Sequence, residues 1–261
     1  MSQQNPTITF IDEQSDWKIN TLFDSLYKQK NIPYGYEDFF NRKDITIIVK
    51  TISDKLFDES KSATIFPLLE DTFKSLRCKN PKVLLLGQDP YHNPDDKNKN
   101  IPGSAIGLSF CLPKNATYIN PSFQSIQKEV ETNGYTVDKK SGNISRWVEE
   151  GVILLNSALT VNRSDAGSHT AIWAEFTEKL IEYLSEKYNL VWLLWGKDAQ
   201  AFDGSIKNRS NQLILKSSHP MPLAAYKSSG GNPAFIGSGF CTKTNEWLVK
   251  RNKSIINWSI P

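Results

Sequence analysis

The chain has 261 residues, 39% of them hydrophobic and 23% charged, a composition that fits one ordinary globular domain with a sizeable core. Its formal net charge of +3, from 31 basic and 28 acidic residues, permits a phosphate-rich partner but excludes a histone-like protein. No basic start precedes an apolar run, and no stretch of about 18 apolar residues occurs, so we expect a soluble intracellular protein, cytoplasmic in a bacterium or virus and nuclear in a eukaryote.

The three cysteines give no indication of a bound metal. Cys78, Cys111 and Cys241 are odd in number and far apart, without the paired spacing of a disulfide framework or a zinc site. The sequence therefore predicts reduced thiols and no metal, and no cofactor is expected.

In chain order, the first predicted feature is a helical scaffold over residues 16–80, where apolar side chains such as Trp17, Leu22 and Leu26 recur at helical spacing. Residues 1–15 are expected to form a flexible tail on a single domain spanning 1–261. Four short apolar runs then predict buried strands at Val83 to Leu86, Val152 to Leu155, Leu190 to Trp195 and Leu213 to Leu215. Further helices are predicted at Ser122 to Asn133, Ile144 to Glu150, Trp173 to Lys187, Lys197 to Phe202 and Thr244 to Lys250. This alternation predicts an α/β fold whose central four-stranded parallel sheet is flanked by helices on both faces.

Four motifs lie at or near the predicted carboxyl ends of these strands, where open parallel sheets bind ligands. They are Gly87 to His92 (GQDPYH), Gly107 to Phe110 (GLSF), Leu154 to Asn156 (LLN) and Ser218 to Leu223 (SHPMPL). Taken singly, each has an ordinary structural interpretation: a turn, a core phenylalanine, an asparagine cap and a structural histidine. In this order and at these spacings, however, they resemble family 1 of the uracil-DNA glycosylases, shared by bacteria, eukaryotes and large DNA viruses. The resemblance covers roughly residues 60–258.

The resemblance implies an enzyme that flips uracil out of DNA and hydrolyses its bond to the sugar, leaving an abasic site and free uracil for base excision repair. It assigns Phe110 to stacking on the base and Tyr91 to excluding the C5 methyl group of thymine. Asn156 would donate to uracil O4 and accept from N3–H, whereas cytosine presents the opposite pattern at those positions.

Cleavage of the glycosidic bond leaves positive charge on the sugar and negative charge on the departing base, so the site needs one group for each. By resemblance, Asp89 stabilises the sugar and positions or deprotonates the attacking water. A neutral His219 donates a hydrogen bond to uracil O2, while the Gln88 backbone and His92 assist around the water and O2. Leu223 matches the family's DNA wedge, and the remaining expected DNA contacts are Ser122, Lys197, Met221, Tyr226 and Lys227.

Two features depart from the family pattern. Met221 and Ala224 stand where the family commonly has serines, and neither side chain can donate a hydrogen bond to a phosphate. The segment between His92 and Gly107 is longer than the family form by roughly eight residues. Its stretch from Asn93 to Gly103 is interpreted as a solvated insertion, with a contact to DNA or to a partner protein left open.

Two other functional classes stay open at this point. One is a glycosylase-like DNA-binding subunit of a replication machine, which would not need Asp89, Asn156 and His219 together, although scaffolding alongside catalysis is compatible with them. The other is a flavodoxin-like nucleotide enzyme, for which no phosphate-cradling glycine-rich loop is present. The expected partner is uracil-containing DNA, single- or double-stranded, bound by a monomer without membrane contact. A replication protein or a proteinaceous inhibitor on the DNA-binding face is a further candidate partner.

Overall fold

The computed structural model describes residue 17 and residues 20–92, 105–116 and 118–261. Its strands are β1 (Ile65–Phe66), β2 (Val83–Gly87), β3 (Val152–Asn156), β4 (Val161–Asn162), β5 (Val191–Trp195) and β6 (Leu213–Ser217). Four of them form a parallel sheet in the order β3, β2, β5, β6. The other two, β1 and β4, pair with each other in antiparallel fashion. The tail predicted for residues 1–15 and the insertion from Asn93 to Gly103 lie outside the described residues.

The helices surround this sheet. The α-helices are α1 (Glu37–Phe40), α2 (Lys43–Ser60), α3 (Pro121–Thr132), α4 (Ser145–Glu149), α5 (Thr170–Lys187), α6 (Lys197–Gln200), α7 (Pro222–Ala225) and α8 (Phe240–Val249). A π-helical turn covers Asp24–Lys28, and 3₁₀ turns cover Leu69–Asp71, Lys74–Arg77, Ala201–Ser205 and Arg209–Asn211. Within the described part of the chain, none of these helices combines the length and apolar character needed to cross a bilayer.

Both faces of the parallel sheet are buried. Successive side chains of a strand point to opposite faces, so in β2 Leu84 and Leu86 belong to one core while Val83 and Leu85 belong to the other. The first core is completed by Val49, Leu56, Phe176 and Leu180, and the second by Phe123, Trp147, Phe240 and Trp258. The predicted parallel sheet with helices on both faces is therefore confirmed.

The prediction of a helical segment over residues 16–80 is only partly correct. Helix α2 has the expected spacing, with Ile45, Val49, Ile52 and Leu56 all buried. Beyond it, Ile65–Phe66 instead pair with Val161–Asn162 as β1 and β4, and Pro67 has no backbone N–H to continue a helix. The other predicted helices and strands agree within a few residues, except that the helix predicted from Lys197 to Phe202 ends at Gln200 and continues as a 3₁₀ turn.

Candidate active site

A pocket of about 240 Å³ opens at the carboxyl ends of β2, β3 and β6. Because parallel strands all end at the same edge of a sheet, residues far apart in the chain meet there. Eight residues singled out from the sequence line this pocket, namely Gln88, Asp89, Tyr91, His92, Phe110, Ser122, Asn156 and His219. The lining is completed by Gly87, Pro90, Ala105, Ile106, Gly107, Leu108 and Asn120.

Asn156 is the last residue of β3 and is only 6% exposed. It lies directly beside Gly87, the last residue of β2. A Cβ atom at Gly87 would come within 2.4 Å of Asn156 Oδ1 and 2.9 Å of Ser109 Cβ, both far inside contact distance. The glycine is therefore needed here because the Asn156 amide lies against the backbone of β2 at the pocket.

Two aromatic residues of the pocket wall, Tyr91 and Phe110, are joined by a hydrogen bond. Tyr91 donates its hydroxyl hydrogen to the Phe110 carbonyl oxygen at 3.0 Å, and burial raises the pKa of the Tyr91 phenol, so the group stays neutral. Phe110 has a φ of 57°, a left-handed conformation that costs energy for a residue with a side chain and is typical of functional sites. Its ring packs against Trp195 and His219, with centroids 5.6 and 6.1 Å away.

The protonation of His219 follows from its neighbours. Its Nδ1 accepts a hydrogen bond from the Met221 backbone N–H at 3.0 Å, so that nitrogen has no proton and a neutral ring has its proton on Nε2. Burial lowers the pKa of His219 from the ordinary value, an effect that Asp198 opposes. Gly196, directly after β5, lies so close to the His219 side chain that a Cβ atom at this glycine would be 3.0 Å from His219 Cβ. The site thus contains a neutral imidazole with Nε2–H as its donor.

Asp89 is half-buried, and its carboxylate is held by a backbone group of a distant loop. Its Oδ2 accepts a hydrogen bond from the Gly167 N–H at 2.7 Å. Gly167 lies just before α5, whose partial positive charge at the N-terminus favours a nearby carboxylate. The loop that contains Gly167 also binds the end of the Gly87 to His92 motif, because Ser164 N–H donates to the His92 carbonyl at 2.9 Å. His92 Nδ1 is buried and has no hydrogen-bond partner among the described residues, which leaves it available to a water or ligand.

The other predicted DNA-contact residues are exposed, and in the chain they follow the pocket residue His219 or its neighbour Gly196. Leu223, on α7, is 77% exposed, and Lys197, Met221, Tyr226 and Lys227 are exposed as well. Lys197 directly follows the glycine that supports His219. Ser122 differs from these five residues because it lines the pocket itself.

The sequence interpretation missed several supporting residues. Asn120 caps α3 by accepting from Phe123 N–H at 2.9 Å, and an asparagine followed by proline is a signal that could have indicated this cap. Lys128 donates from Nζ to the Tyr226 hydroxyl at 3.0 Å. Gly167 and Lys128 each contact a residue far away in the chain, so no local pattern indicates their roles.

Residues 73–249 match the model of the uracil DNA glycosylase superfamily. The chain belongs to this superfamily. The uracil-DNA glycosylase of Pseudomonas aeruginosa PAO1 is 39% identical over 197 residues, which cover 75% of this chain and 78% of that relative. Uracil-DNA glycosylase 2 of Bacteroides fragilis is 38% identical over 245 residues, covering 92% of this chain and 100% of the relative. The relationship to uracil-DNA glycosylases therefore extends well beyond the four motifs.

A solved uracil-DNA glycosylase structure agrees with the fold. The crystal structure of a mimivirus UNG variant in complex with UGI superposes with a TM-score of 0.82 at 28% sequence identity, covering 94% of this chain and 93% of the mimivirus chain. This coverage includes described residues before the segment matched by the family model, so the N-terminal helices belong to the same fold.

Proposed function

We infer that this protein is a uracil-DNA glycosylase that hydrolyses the N-glycosidic bond of flipped-out uracil in DNA and so initiates base excision repair. The observation that carries this conclusion is one pocket that combines the Asp89 carboxylate, the Asn156 amide and the neutral His219 imidazole in a member of the superfamily. Within the superfamily we propose family 1, because Gly87 to His92 follows one of that family's motifs and Ser218 to Leu223 follows another, except at Met221.

Base selection in this proposal depends on three side chains. Phe110 stacks on the flipped base, and the Asn156 amide pairs with uracil O4 and N3–H. The burial of Asn156 supports this role, because a base with the opposite hydrogen-bond pattern would leave buried polar groups unpaired. Tyr91, held by its bond to Phe110, would exclude the C5 methyl of thymine.

The proposed reaction breaks the bond between sugar C1′ and uracil N1, and the electron pair leaves with the base. Asp89 stabilises the positive sugar and accepts a proton from the attacking water, whose oxygen bonds to C1′. Because Gly167 N–H donates to Oδ2 of Asp89, we assign the contact with the attacking water to Asp89 Oδ1. His219 donates from Nε2–H to uracil O2, where the negative charge of the leaving base collects. Gln88 and His92 assist around the water and O2.

Release of free base from a labelled oligonucleotide carrying one uracil, in EDTA, tests this function. We expect release from the uracil strand and none from matched strands that carry cytosine or thymine at the same position. Binding of the uracil strand without any release would instead support a DNA-binding subunit.

The activity is expected to stay constant as the pH falls from about 8 to 6.5 and to decline only at more acidic pH. Because burial lowers the pKa of His219 in the folded protein, its ring gains a proton only at a lower pH than an exposed histidine does. Below that range, protonation of Nδ1 would remove the acceptor for Met221 N–H. The unfolded chain takes up this proton first, so the free energy of unfolding also falls as the pH drops below 6.5.

Single-turnover rates measured across this pH range, with urea unfolding at each pH, would test the expectation. His219→Gln is the control, because glutamine donates a hydrogen bond without titrating. A transition near the ordinary histidine pKa that is present in the wild type and missing in His219→Gln would contradict it.

The proposed DNA-binding surface consists of Leu223 as the wedge and the surrounding residues Ser122, Lys197, Met221, Tyr226 and Lys227. Leu223 is a 77% exposed apolar side chain on α7, shortly after His219 in the chain, which favours its insertion between the bases. The lysines would contact phosphates, and Lys128, bound to Tyr226, adds one more positive charge to this surface.

Met221→Ser is expected to bind uracil-containing DNA about 2- to 10-fold more tightly than the wild type, because a hydroxyl replaces an apolar group that cannot bond to phosphate. Met221 is 41% exposed, so the exchange should leave the fold intact. Dissociation constants measured over a salt series by fluorescence anisotropy, with Met221→Ala as the control for loss of the long side chain, test this. Equal affinity of the serine variant and the wild type for this DNA would contradict the expectation.

We propose that the protein acts as a monomer and that its DNA-binding surface can also bind a proteinaceous inhibitor. Support for the inhibitor comes from the similar mimivirus UNG variant, whose structure was solved in complex with UGI. Competition between UGI and a uracil oligonucleotide for binding to this protein would locate the shared surface. A replication protein as a further partner would be addressed by a pull-down with purified replication proteins.

A further inference from the structure

A hydrogen-bonded network of four side chains lies next to the loop 163–168, whose Gly167 binds Asp89. Trp173 Nε1–H donates to Thr160 Oγ1 at 2.7 Å, and Thr160 Oγ1 is 2.7 Å from His169 Nδ1. On the other side of the same ring, His169 Nε2 is 2.9 Å from Glu59 Oε2. Both His169 and Thr160 are 0% exposed. Neither His169 nor Glu59 lines the pocket, and the reaction proposed above gives neither a role.

The direction of these hydrogen bonds follows from their chemistry. A carboxylate can only accept, so His169 Nε2 must have a proton that it donates to Glu59. Burial lowers the pKa of His169, although Glu59 opposes this effect, and the ring is neutral. Its Nδ1 is then an acceptor and receives the Thr160 hydroxyl hydrogen, while the Thr160 oxygen accepts from Trp173. Each of the four side chains in this network thereby has a hydrogen-bond partner in a single orientation of the His169 ring.

Glu59 also fixes the other end of the loop. Its Oε2 accepts from Asn162 Nδ2 at 3.1 Å, and Asn162 N–H in turn donates to Ser168 Oγ at 2.9 Å. One carboxylate on α2 therefore binds Asn162 and His169, the two residues that directly flank the loop 163–168. The loop conformation consequently depends on a residue from a different part of the fold.

The loop 163–168 contains the backbone N–H group that binds Asp89. Gly167, two residues before His169, has a φ of +76° and donates its N–H to Asp89 Oδ2 at 2.7 Å. Its carbonyl accepts from Thr170 N–H at 3.0 Å, and the His169 carbonyl accepts from Ile172 and Trp173 in the first turn of α5. A displacement of the His169 ring would therefore move the Gly167 N–H relative to Asp89.

We propose that Glu59 and His169 are positioning residues for Asp89, acting through the loop 163–168 to set which carboxylate oxygen faces the attacking water. This inference rests on the catalytic role proposed for Asp89. Since misplacement of a catalytic group by about 1 Å can cost on the order of 100-fold in rate, the effect of losing Glu59 should be measurable.

The test is single-turnover uracil release by Glu59→Ala and Glu59→Gln, at a temperature where circular dichroism shows both variants folded. We expect Glu59→Ala to lower the single-turnover rate at saturating enzyme by about 10- to 100-fold, with the enzyme concentration that gives half of this rate nearly unchanged, because the groups that bind the base are not displaced. Glu59→Gln should keep a rate close to that of the wild type, because its amide oxygen can accept from both His169 and Asn162. In an Asp89→Asn background, Glu59→Ala should add little further loss, because its effect passes through Asp89.

A folded Glu59→Ala variant with the wild-type rate would overturn the proposal, as would an equally large loss in the Asp89→Asn background. Should Glu59→Ala not fold, Thr160→Val and Ser168→Ala interrupt the same network elsewhere, and the same outcomes apply to them. Failure of the proposed function looks different: the wild type would release no uracil, or Asp89→Asn would be as fast as the wild type.

Discussion

Asp89→Asn is expected to slow uracil release by about 10²- to 10⁴-fold while changing the affinity for uracil-containing DNA only a few-fold. Asparagine has nearly the same shape and can still accept from Gly167 N–H, but it has no negative charge to stabilise the sugar and cannot take a proton from water. Single-turnover release and anisotropy binding with the same oligonucleotide separate the two effects.

The matched control for this variant is Asp165→Asn, which removes an exposed carboxylate from the loop that contacts Asp89. It should leave the rate within about 2-fold of the wild type, since single exposed charges contribute little. If Asp89→Asn kept the wild-type rate, the carboxylate would have no part in bond cleavage.

Asn156→Asp is expected to lower uracil release by at least about 100-fold and to raise cytosine release relative to uracil. The aspartate presents an oxygen where the amide would donate to uracil O4, so two acceptors face each other in a buried site. Cytosine has an amino donor at that position, which an aspartate oxygen can accept. The measurement is base release from uracil and cytosine strands, each paired with a strand that leaves the target base unpaired.

Asn156→Leu serves as the control for this variant, because a leucine of similar size removes both hydrogen bonds and favours neither base. It should lose uracil release without any gain of cytosine release. An Asn156→Asp enzyme that still preferred uracil as strongly as the wild type would show that the amide does not choose the base.

The local pattern of the sequence predicts the sheet well and the N-terminal half less well. Three of the four short apolar runs, such as Val83 to Leu86, are buried, and that composition belongs to a covered parallel strand. The fourth, Leu213 to Leu215, lies in the edge strand β6 and is only partly buried. The pair Ile65–Phe66 has no such pattern of its own. It is a strand because Val161–Asn162 lie beside it, and within residues 16–80 only the proline that follows it, Pro67, argued against the predicted helix.

The sequence by itself determined which residues surround the pocket. Asn156 ends β3, Asp89 comes shortly after β2 and His219 comes shortly after β6, so parallel alignment alone brings them to one edge. Only the tertiary structure decided how they are held. Gly167 binds Asp89 across 78 positions of the chain, and the bond from Met221 that keeps the proton of His219 on Nε2 depends on the conformation of that loop. Burial and strand pattern are local properties of a sequence, whereas a hydrogen bond between distant residues exists only after the elements have packed.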